Sequence, residues 1–331
     1  MTAATSNTEP DDMPAESGAL LQACGTRRGR RAFLAGLAAA CALPGSVAAL
    51  PQGQPSRTAL STAMQRAAHQ LIERPLVFED PFALAMIGAR RVRWLASNLE
   101  RFRSPGAAAL RAALVLRSRF AEDELARALA AGCRQCVVLG AGLDTLALRS
   151  PHPGLRIFEV DHPATQAWKL GLMREHGLEA GRGTVHVPVD FETESLARRL
   201  AQAGLRRDRP VFFTWLGVTM YLSRDAVMQT LSFAARDCAR GSAIVFDYAL
   251  PDSRIDPRER AARARLAERV EQAGEPWISQ FDPEALAEDL RRLGFSQIDD
   301  LDRERANRRY FDRREDGFAV RGASQVMSAR T

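Results

Sequence analysis

The stretch VVLGAGLDTLALRS, from Val137 to Ser150, decides the fold of this chain. Its apolar beginning is typical of a buried strand, and Gly140 and Gly142 allow the backbone to turn tightly beneath a ligand. Asp144 follows the turn, at a position where its side chain would accept an N–H group from the next helix. A strand that leaves through a glycine turn into a helix is typical of the ligand-binding end of an α/β sheet.

The rest of the chain repeats this alternation. Short apolar runs occur at CVVLG, RIFEV, TVHVPV, PVFFTWL and SAIVFDYAL, and the stretches between them have helical spacing. Strands that alternate with helices predict right-handed βαβ units, and hence a doubly wound, parallel α/β sheet with helices on both faces. Near the end, PEALAEDLRRLGFSQIDDL predicts a helix that leads into a strand, and DGFAVRGASQVMSAR predicts a final antiparallel strand. Helices are also predicted ahead of the sheet, at TALSTAMQRAAHQLIE and from roughly Ala107 to Ala131.

The glycine turn alone leaves the ligand open. A dinucleotide-binding turn has the pattern G-x-G-x-x-G, and here Thr145 stands where the third glycine belongs. The second strand ends in FEVDHP, so Glu159 and Asp161 lie about 20 residues further on, where a carboxylate can accept both hydroxyls of an adenosine ribose. This feature suits both a nicotinamide dinucleotide and S-adenosylmethionine. A reductase would also need a proton donor such as Tyr-x-x-x-Lys, and Lys169, the only lysine, has no tyrosine four residues before it.

A longer series of motifs carries a family resemblance. The segments RSRFAEDEL, VVLGAGLDT, FEVDHPATQAWK, VPVDFET and WLGVTMYLS occur in this order. Together they resemble the leucine carboxyl methyltransferase-like family of S-adenosylmethionine-dependent methyltransferases, and FEDPFA near Asp80 resembles the entry segment of its bacterial members. The resemblance covers roughly Leu71 to Arg330. It implies a mostly parallel, seven-stranded class I methyltransferase (Rossmann-like) sheet with an N-terminal helical extension, and S-adenosylmethionine as the cofactor.

The resemblance also implies a set of cofactor contacts: Arg117, Gly140, Gly142, Asp161, Asp190 and Phe191. The planar guanidinium of Arg117 would hold the methionine carboxylate. The two glycines would let the backbone pass under the methionine and ribose portions, and Asp161 would bind the ribose hydroxyls. Asp190 and Phe191 would flank the adenine, with the aspartate accepting its exocyclic amine.

The acceptor of the methyl group is not identified by the sequence, and no catalytic residue is assigned. Many members of the family have a glutamate just before GVxMYL. This chain has Leu216 there and so lacks that carboxylate as a group to orient the substrate. A carboxylate acceptor is already ionised and needs no general base, whereas a hydroxyl or an amine would need one. The family's namesake methylates a protein C-terminus, while small-molecule acceptors are expected for bacterial members. Residues 252–276 and the N-terminal helices are expected to hold the acceptor, and Tyr221 is either a core residue or a substrate contact.

Composition excludes some other functions. The chain has 331 residues, a net charge of +6 and a pI near 9.5, but its 45 arginines are interspersed with 40 acidic residues. Such a surface is typical of solvated charge rather than of a nucleic-acid groove, which would interleave basic residues with aromatic ones. The five histidines have no metal-ligand spacing, so no metal site is predicted.

Residues 1–55 are predicted to lie outside the folded methyltransferase domain, which would occupy residues 56–331. The segment GTRRGRRAFLAGLAAACALPGSVAALP has four arginines followed by small apolar residues, and residues 27–49 resemble a twin-arginine export signal. Its apolar run is too short for a stable membrane span of ~30 Å. Because S-adenosylmethionine is made in the cytoplasm, a cytoplasmic enzyme is expected. An exported, catalytically silent protein that kept the fold is the alternative.

Overall fold

The computed structural model describes residues 56–190, 194–272 and 274–331. The predicted extension over residues 1–55, and with it the export-like signal at residues 27–49, lies outside the described residues. No helix in the three described ranges has both the length and the apolar character that crossing a lipid bilayer requires.

Seven strands form one sheet in the order β3-β2-β1-β4-β5-β7-β6. The strands are β1 (Gln135–Leu139), β2 (Arg156–Asp161), β3 (Thr184–Pro188), β4 (Phe212–Trp215), β5 (Ala243–Ala249), β6 (Gln297–Leu301) and β7 (Ser324–Arg330). The pairs from β3 to β5 are parallel, and β7 is antiparallel to both of its neighbours, β5 and β6. This confirms the mostly parallel, doubly wound sheet and the final antiparallel strand.

The central strands are buried on both faces. All residues of β1 and all of β5 are buried, because helices cover both sides of a doubly wound parallel sheet. Alternate residues of β1 enter different apolar clusters: Val137 and Leu139 join one, and Cys136 and Val138 join the other. The unbroken apolar runs of the sequence therefore correspond to strands that supply the core on two sides at once.

The predicted helices before the sheet are present. The helices are α1 (Arg57–Ile72), α2 (Ala83–Ser97), α3 (Leu99–Arg103), α4 (Pro105–Ala130), α5 (Leu146–Arg149), α6 (Pro163–Glu175), α7 (Leu196–Gln202), α8 (Arg224–Ser232), α9 (Pro257–Gln272), α10 (Pro283–Leu293) and α11 (Arg303–Tyr310). A third apolar cluster joins α1 and α2 to α6 and to Leu143, which lies in the loop between β1 and α5. The N-terminal helices thus lie next to the glycine turn.

The strand order reverses between β1 and β4. β1 lies between β2, which follows it in the chain, and β4, which comes after a crossover. In open α/β sheets, the crevice at the carboxyl ends of the strands beside such a reversal is where ligands bind. The turn at Gly140, the carboxylate of Asp161 and the loop at Gly217 all follow these strand ends.

Candidate functional site

The turn after β1 can be built only with glycine. Gly140 and Gly142 have φ values of 67° and 43°, in the left-handed region that residues with a Cβ rarely adopt. A Cβ added to Gly140 would lie 2.4 Å from Cγ2 of Val218, and one added to Gly142 would lie 3.2 Å from Cβ of Ala59. The turn is therefore closely covered, by the loop after β4 on one side and by α1 on the other.

Asp161 ends β2 and faces this turn. Its Oδ2 accepts the N–H of Gly142, and its Oδ1 accepts the N–H of His162 at 2.7 Å. Removal from water raises the pKa of Asp161 to about 6, since it outweighs the stabilisation of the carboxylate by these N–H groups. A carboxylate has about four lone-pair positions, so about two remain for further donors. That is the number two vicinal ribose hydroxyls would use.

The neighbouring acid, Glu159, faces a protein partner instead. Its Oε1 lies 2.7 Å from Nζ of Lys169, and both side chains are almost fully buried. His186 on β3 brings its Nδ1 to 3.3 Å from Oε2 of the same carboxylate. Glu159 is buried and Asp161 is half-buried, so Asp161 is the acid of the FEVDHP segment that a ligand can reach.

Asp144, two residues after Gly142, has a structural role. Its Oδ1 accepts the N–H of Leu146 at 2.6 Å, which confirms the prediction that it caps the helix after the turn. Although burial alone would raise the pKa of Asp144, the charges of Arg66 and Arg149, with a contribution from Lys169, lower it below its usual value. The sequence alone does not reveal these arginine partners, because Arg66 lies 78 residues earlier.

Arg117 on α4 reaches the other side of the crevice. Its Nη1 donates to Oδ2 of Asp247 on β5 at 2.7 Å, and the N–H of Gly217 donates to Oδ1 of the same carboxylate at 2.5 Å. Within the described residues, Nε and Nη2 of Arg117 donate no hydrogen bond to the protein, so they are available to an anion. The contact with the methionine carboxylate stays a prediction.

Asp247 is a site residue that the motif analysis missed. The signal was present, because this aspartate interrupts the otherwise apolar run SAIVFDYAL. Leu216, which stands where many family members have a glutamate, packs against the apolar cluster between the sheet and α4. The carboxylate that pairs with Arg117 thus comes from the neighbouring strand.

The predicted adenine contacts lie after β3. The N–H of Val189 donates to the carbonyl of Asp161 at 2.9 Å, which brings the end of β3 beside the end of β2. Asp190 is half-buried, and its N–H donates to Oε2 of Glu194 at 3.0 Å. Phe191 lies outside the described residues, and both adenine contacts stay predictions.

A second group of polar residues lies at the Arg117 side of the crevice. Tyr221, which follows the loop after β4, has its hydroxyl beside Thr58 and Trp277, with the charges of Glu275 and Arg117 nearby. Burial raises the pKa of Tyr221 above its usual value, and Glu275 adds to the effect. The segment that carries Trp277 is fixed to this loop, because the N–H of Ile278 donates to the carbonyl of Met220 at 2.8 Å.

Glu275 joins this segment to the start of α1. It accepts the N–H of Arg57 at 3.1 Å and the hydroxyls of Ser56 and Thr58. The carboxylate therefore acts as a cap for the first turn of α1. Residues 252–276 and the N-terminal helix were predicted to lie around the acceptor, and the structure places Glu275 and α1 together beside Tyr221.

The histidines have no arrangement for a metal in the part of the chain that is described. No group of three or more His, Cys, Asp or Glu side chains is placed to hold an ion there. His162 caps α6, since its Nδ1 accepts the N–H of Ala164 at 3.2 Å.

This strand order, with the antiparallel β7 and the glycine turn after β1, is that of the class I S-adenosylmethionine-dependent methyltransferase fold. The profile of the leucine carboxyl methyltransferase family matches residues 59–235, and the chain belongs to that family.

Relatives named as S-adenosyl-L-methionine-dependent methyltransferases agree with this assignment. YktD of Bacillus subtilis is 28% identical over 81% of this chain and 95% of its own length. A relative from Mycobacterium avium is 32% identical over 65% of this chain and 72% of its own length. A further relative, from Frankia alni, is 36% identical, and the match covers 56% of this chain and 65% of that protein.

A solved structure of a protein from Streptomyces avermitilis covers 82% of this chain and 97% of its own, at 16% identity and a TM-score of 0.48. That likeness is too low to carry an argument. From the family and the relatives, the protein is an S-adenosylmethionine-dependent methyltransferase with S-adenosylmethionine as its cofactor. Neither the nicotinamide-dependent reductase nor the catalytically silent protein is favoured.

Proposed function

We propose that this enzyme methylates an oxygen of its acceptor, a carboxylate or a hydroxyl, with a carboxylate favoured by the geometry. The cofactor would be held by the residues predicted from the sequence: Arg117, Gly140, Gly142, Asp161, Asp190 and Phe191. Bound S-adenosylmethionine supplies an activated methyl group on its sulfonium. The task left to the protein is to align the acceptor oxygen with that methyl group and to exclude water.

The two ends of the crevice are suited to the two ends of the cofactor. Arg117 keeps two of its nitrogens for an anion, while Asp247 fixes the plane of the guanidinium by accepting from the third. Asp161 keeps lone pairs for hydroxyl donors on the opposite side of the glycine turn. An anion-binding group and a hydroxyl-binding group on either side of one turn support the assignment of the methionine and ribose ends.

The observation that favours a carboxylate acceptor is the chemistry around Tyr221. Its raised pKa keeps the phenol protonated at neutral pH, so it is a hydrogen-bond donor rather than a base. Glu275, the nearby acid, is already occupied by the first turn of α1. An acceptor that must lose a proton would meet no evident base among these residues, whereas an ionised carboxylate could accept from the Tyr221 hydroxyl and lie near Arg117.

Methyl transfer from tritium-labelled S-adenosylmethionine tests this proposal. The enzyme is incubated with a panel of carboxylic acids, phenols and peptides that have a free C-terminus. A methyl ester releases volatile methanol in alkali, and a methyl ether does not. We expect alkali-labile label. Alkali-stable label would point to a hydroxyl acceptor, and label on nitrogen would contradict O-methylation.

The variant Tyr221→Phe tests the role of the phenol. Because a hydrogen bond to a charged acceptor contributes about 1.5–3 kcal/mol, we expect kcat/KM for the acceptor to fall roughly 10- to 150-fold, with unchanged affinity for S-adenosylhomocysteine. Tyr310→Phe is the matched control, since the Tyr310 hydroxyl donates to Asp123, away from the crevice. An unaltered kcat/KM in Tyr221→Phe would assign this tyrosine to packing alone.

The proposed site of action is the cytoplasm, where the cofactor is made. Fusion of residues 1–60 to a reporter, followed by cell fractionation, tests this against export. Reporter in the cytoplasmic fraction alone supports the proposal, and reporter outside the inner membrane contradicts it.

A further inference from the structure

Lys169 is the only lysine in a chain that uses arginine at its 45 other basic positions. Its side chain is 2% exposed, and its Nζ lies 2.7 Å from Oε1 of Glu159, which is 1% exposed. A lysine is rarely buried this completely, because the removal of its charge from water is costly unless a partner compensates. A buried ion pair often adds little to stability, so stability alone does not account for the burial of Lys169.

The local structure places this pair beside the proposed ribose-binding carboxylate. Side chains two residues apart on a strand point to the same face, so Glu159 and Asp161 share a face of β2. The chain passes from Asp161 directly into α6, which carries Lys169 back over that face. Gln166 on the same helix donates to the carbonyl of Glu159 at 3.1 Å and helps to seat α6 against β2.

The charges around Asp161 come from several elements. The two that act on its carboxylate are Lys169 on α6 and Glu159 on β2. The other titratable groups nearby are His162 next to Asp161, His186 on β3, Asp190 after β3 and Asp144 in the loop after β1. The effect of Lys169 on the Asp161 carboxylate is favourable and exceeds the unfavourable effect of Glu159. The same lysine also favours the charged form of Asp144. Lys169 thus favours the charged form of both acids that flank the glycine turn.

Among the described residues, no cation pairs directly with Asp161. Within the described ranges, its carboxylate forms no ion pair, and its hydrogen bonds come from the backbone of Gly142 and His162. An arginine salt bridge would satisfy the carboxylate but would also occupy the lone pairs that a ligand needs. A compact ammonium held a short distance away can act on the charge without occupying those lone pairs.

We propose that Lys169 is a positioning residue for the cofactor: held by Glu159 beside the carboxyl end of β2, it keeps the Asp161 carboxylate ionised and ready to accept the ribose hydroxyls. This inference rests on the proposed role of Asp161 in binding ribose. This role would also account for the burial of the Lys169–Glu159 pair, which a contribution to stability alone does not explain.

Calorimetric titration of the full chain with S-adenosylhomocysteine, at pH values from about 5 to about 8.5, tests the inference. For the wild type, Kd should rise about tenfold per pH unit below the pKa of Asp161. In Lys169→Met, that rise should begin roughly one pH unit higher or more, so affinity at about pH 6.5 falls roughly three- to tenfold, while at about pH 8.5 it stays within about twofold. Protonation of the ligand itself is common to all variants and cancels.

The double variant Glu159→Gln/Lys169→Met is the matched control. Replacing both members of a buried ion pair by neutral groups is usually tolerated, so this protein should fold even where the single variant does not. Its pH midpoint should lie between those of the wild type and Lys169→Met, because the opposing charge of Glu159 has also been removed. A loss of affinity by one constant factor at every pH, or no change at all, would overturn the inference and leave Lys169 a structural residue.

The variant Asp161→Asn separates this inference from the function on which it rests. Unaltered affinity in Asp161→Asn would refute the ribose contact itself. Weak, pH-independent affinity in Asp161→Asn, together with a Lys169→Met curve that overlays the wild type, would refute the role of Lys169 alone. Because the chain has one lysine, lysine labelled with ¹⁵N gives a single Nζ signal, which should shift on S-adenosylhomocysteine binding in the wild type and not in Asp161→Asn.

Discussion

Asp144 and Asp161 lie on either side of the same glycine turn, and their surroundings shift their pKa values in opposite directions. Asp144 has Arg66 and Arg149 for charge partners and a helix N–H to cap, and its pKa is lowered. The donors to Asp161 in the described part of the chain are backbone N–H groups, and its pKa is raised to about 6. A buried acid whose partners all come from the protein holds the structure together. An acid with unused lone pairs and a raised pKa can instead accept hydrogen bonds from a ligand.

A network of hydrogen bonds surrounds the Asp144 side of the turn. Arg66 donates to Oδ2 of Asp80 at 2.5 Å and to the hydroxyl of Thr145 at 2.8 Å, and that hydroxyl donates to Asp80 in turn at 2.9 Å. These bonds tie α1, the FEDPFA segment and the glycine turn into one unit. The turn is thus bonded to these segments on the Asp144 side, while the proposed ligand side has the carboxylate of Asp161.

The largest effect is expected from Asp161→Asn, which keeps the size of the side chain and removes its charge. The loss of a charged acceptor for two hydroxyls should cost about 2–3 kcal/mol, or roughly 30- to 150-fold in affinity. Calorimetry with S-adenosylmethionine, S-adenosylhomocysteine and NADPH measures it, with circular dichroism to check the fold. The variant should lose affinity for the first two ligands, and neither it nor the wild type should bind NADPH.

Asp208→Asn is the control for that measurement, because Asp208 is an exposed acid paired with Arg206 outside the crevice. It should bind the cofactor like the wild type. If Asp161→Asn and Asp208→Asn bind equally well, the distinction drawn between Asp161 and Asp144 has no functional meaning.

A smaller effect, of a different kind, is expected from Asp144→Asn. The amide can still accept the N–H of Leu146, but Arg66 and Arg149 lose a half-buried anion and keep their other partners. We expect the free energy of unfolding to fall by about 1–3 kcal/mol, with cofactor affinity changed by less than about fivefold. Urea denaturation and calorimetry on the same preparation measure both. If Asp144→Asn is as stable as the wild type but fails to bind the cofactor, Asp144 is a ligand-binding residue like Asp161.

Much of the fold follows from local sequence. The apolar runs and the helical stretches between them predict the parallel sheet, because each strand and helix reflects its own period. The position of β7 between β5 and β6 is not encoded locally. It depends on pairing between Ala243 and Arg330, at opposite ends of two distant segments. Strand order within a sheet is a long-range property that no single segment carries.

The site residues also differ in whether local sequence predicts them. The turn of Gly140 and Gly142 and the acid of Asp161 belong to contiguous motifs, so the sequence identifies them as candidates. Asp247 was missed because its partner, Arg117, lies 130 residues away, on a helix across the sheet. Glu275 was covered only by a broad prediction, because it meets the start of α1 after a separation of more than 200 residues. The motifs give the candidate ligand-binding groups, and the fold determines which groups support them.

The smallest effect is expected in the pH dependence of the unfolding free energy of the cofactor-free protein. The sign of this dependence differs between Asp161 and Asp144. The pKa of Asp161 in the folded state, about 6, is above its usual value of 3.8, so folding favours its protonated form. Its contribution to stability is fully present below about pH 3.8 and is lost as the pH rises through about 6. For Asp144, whose folded pKa is lowered, the contribution is present above the usual value and is lost as the pH falls.

The difference in unfolding free energy between the wild type and Asp161→Asn should therefore decrease from about pH 4 to about pH 6 and then level off, because Asp161 is fully ionised in both states above that range. Asp300, whose pKa is also raised to about 6, is present in both proteins and cancels in the difference. The difference between the wild type and Asp144→Asn should instead shrink as the pH falls towards 3.8 and below. Saturating S-adenosylhomocysteine should flatten the Asp161 curve and leave the Asp144 curve unchanged, since a ligand that binds the ionised carboxylate lowers its folded pKa. If both curves respond to the ligand alike, the two acids share one role and the comparison fails.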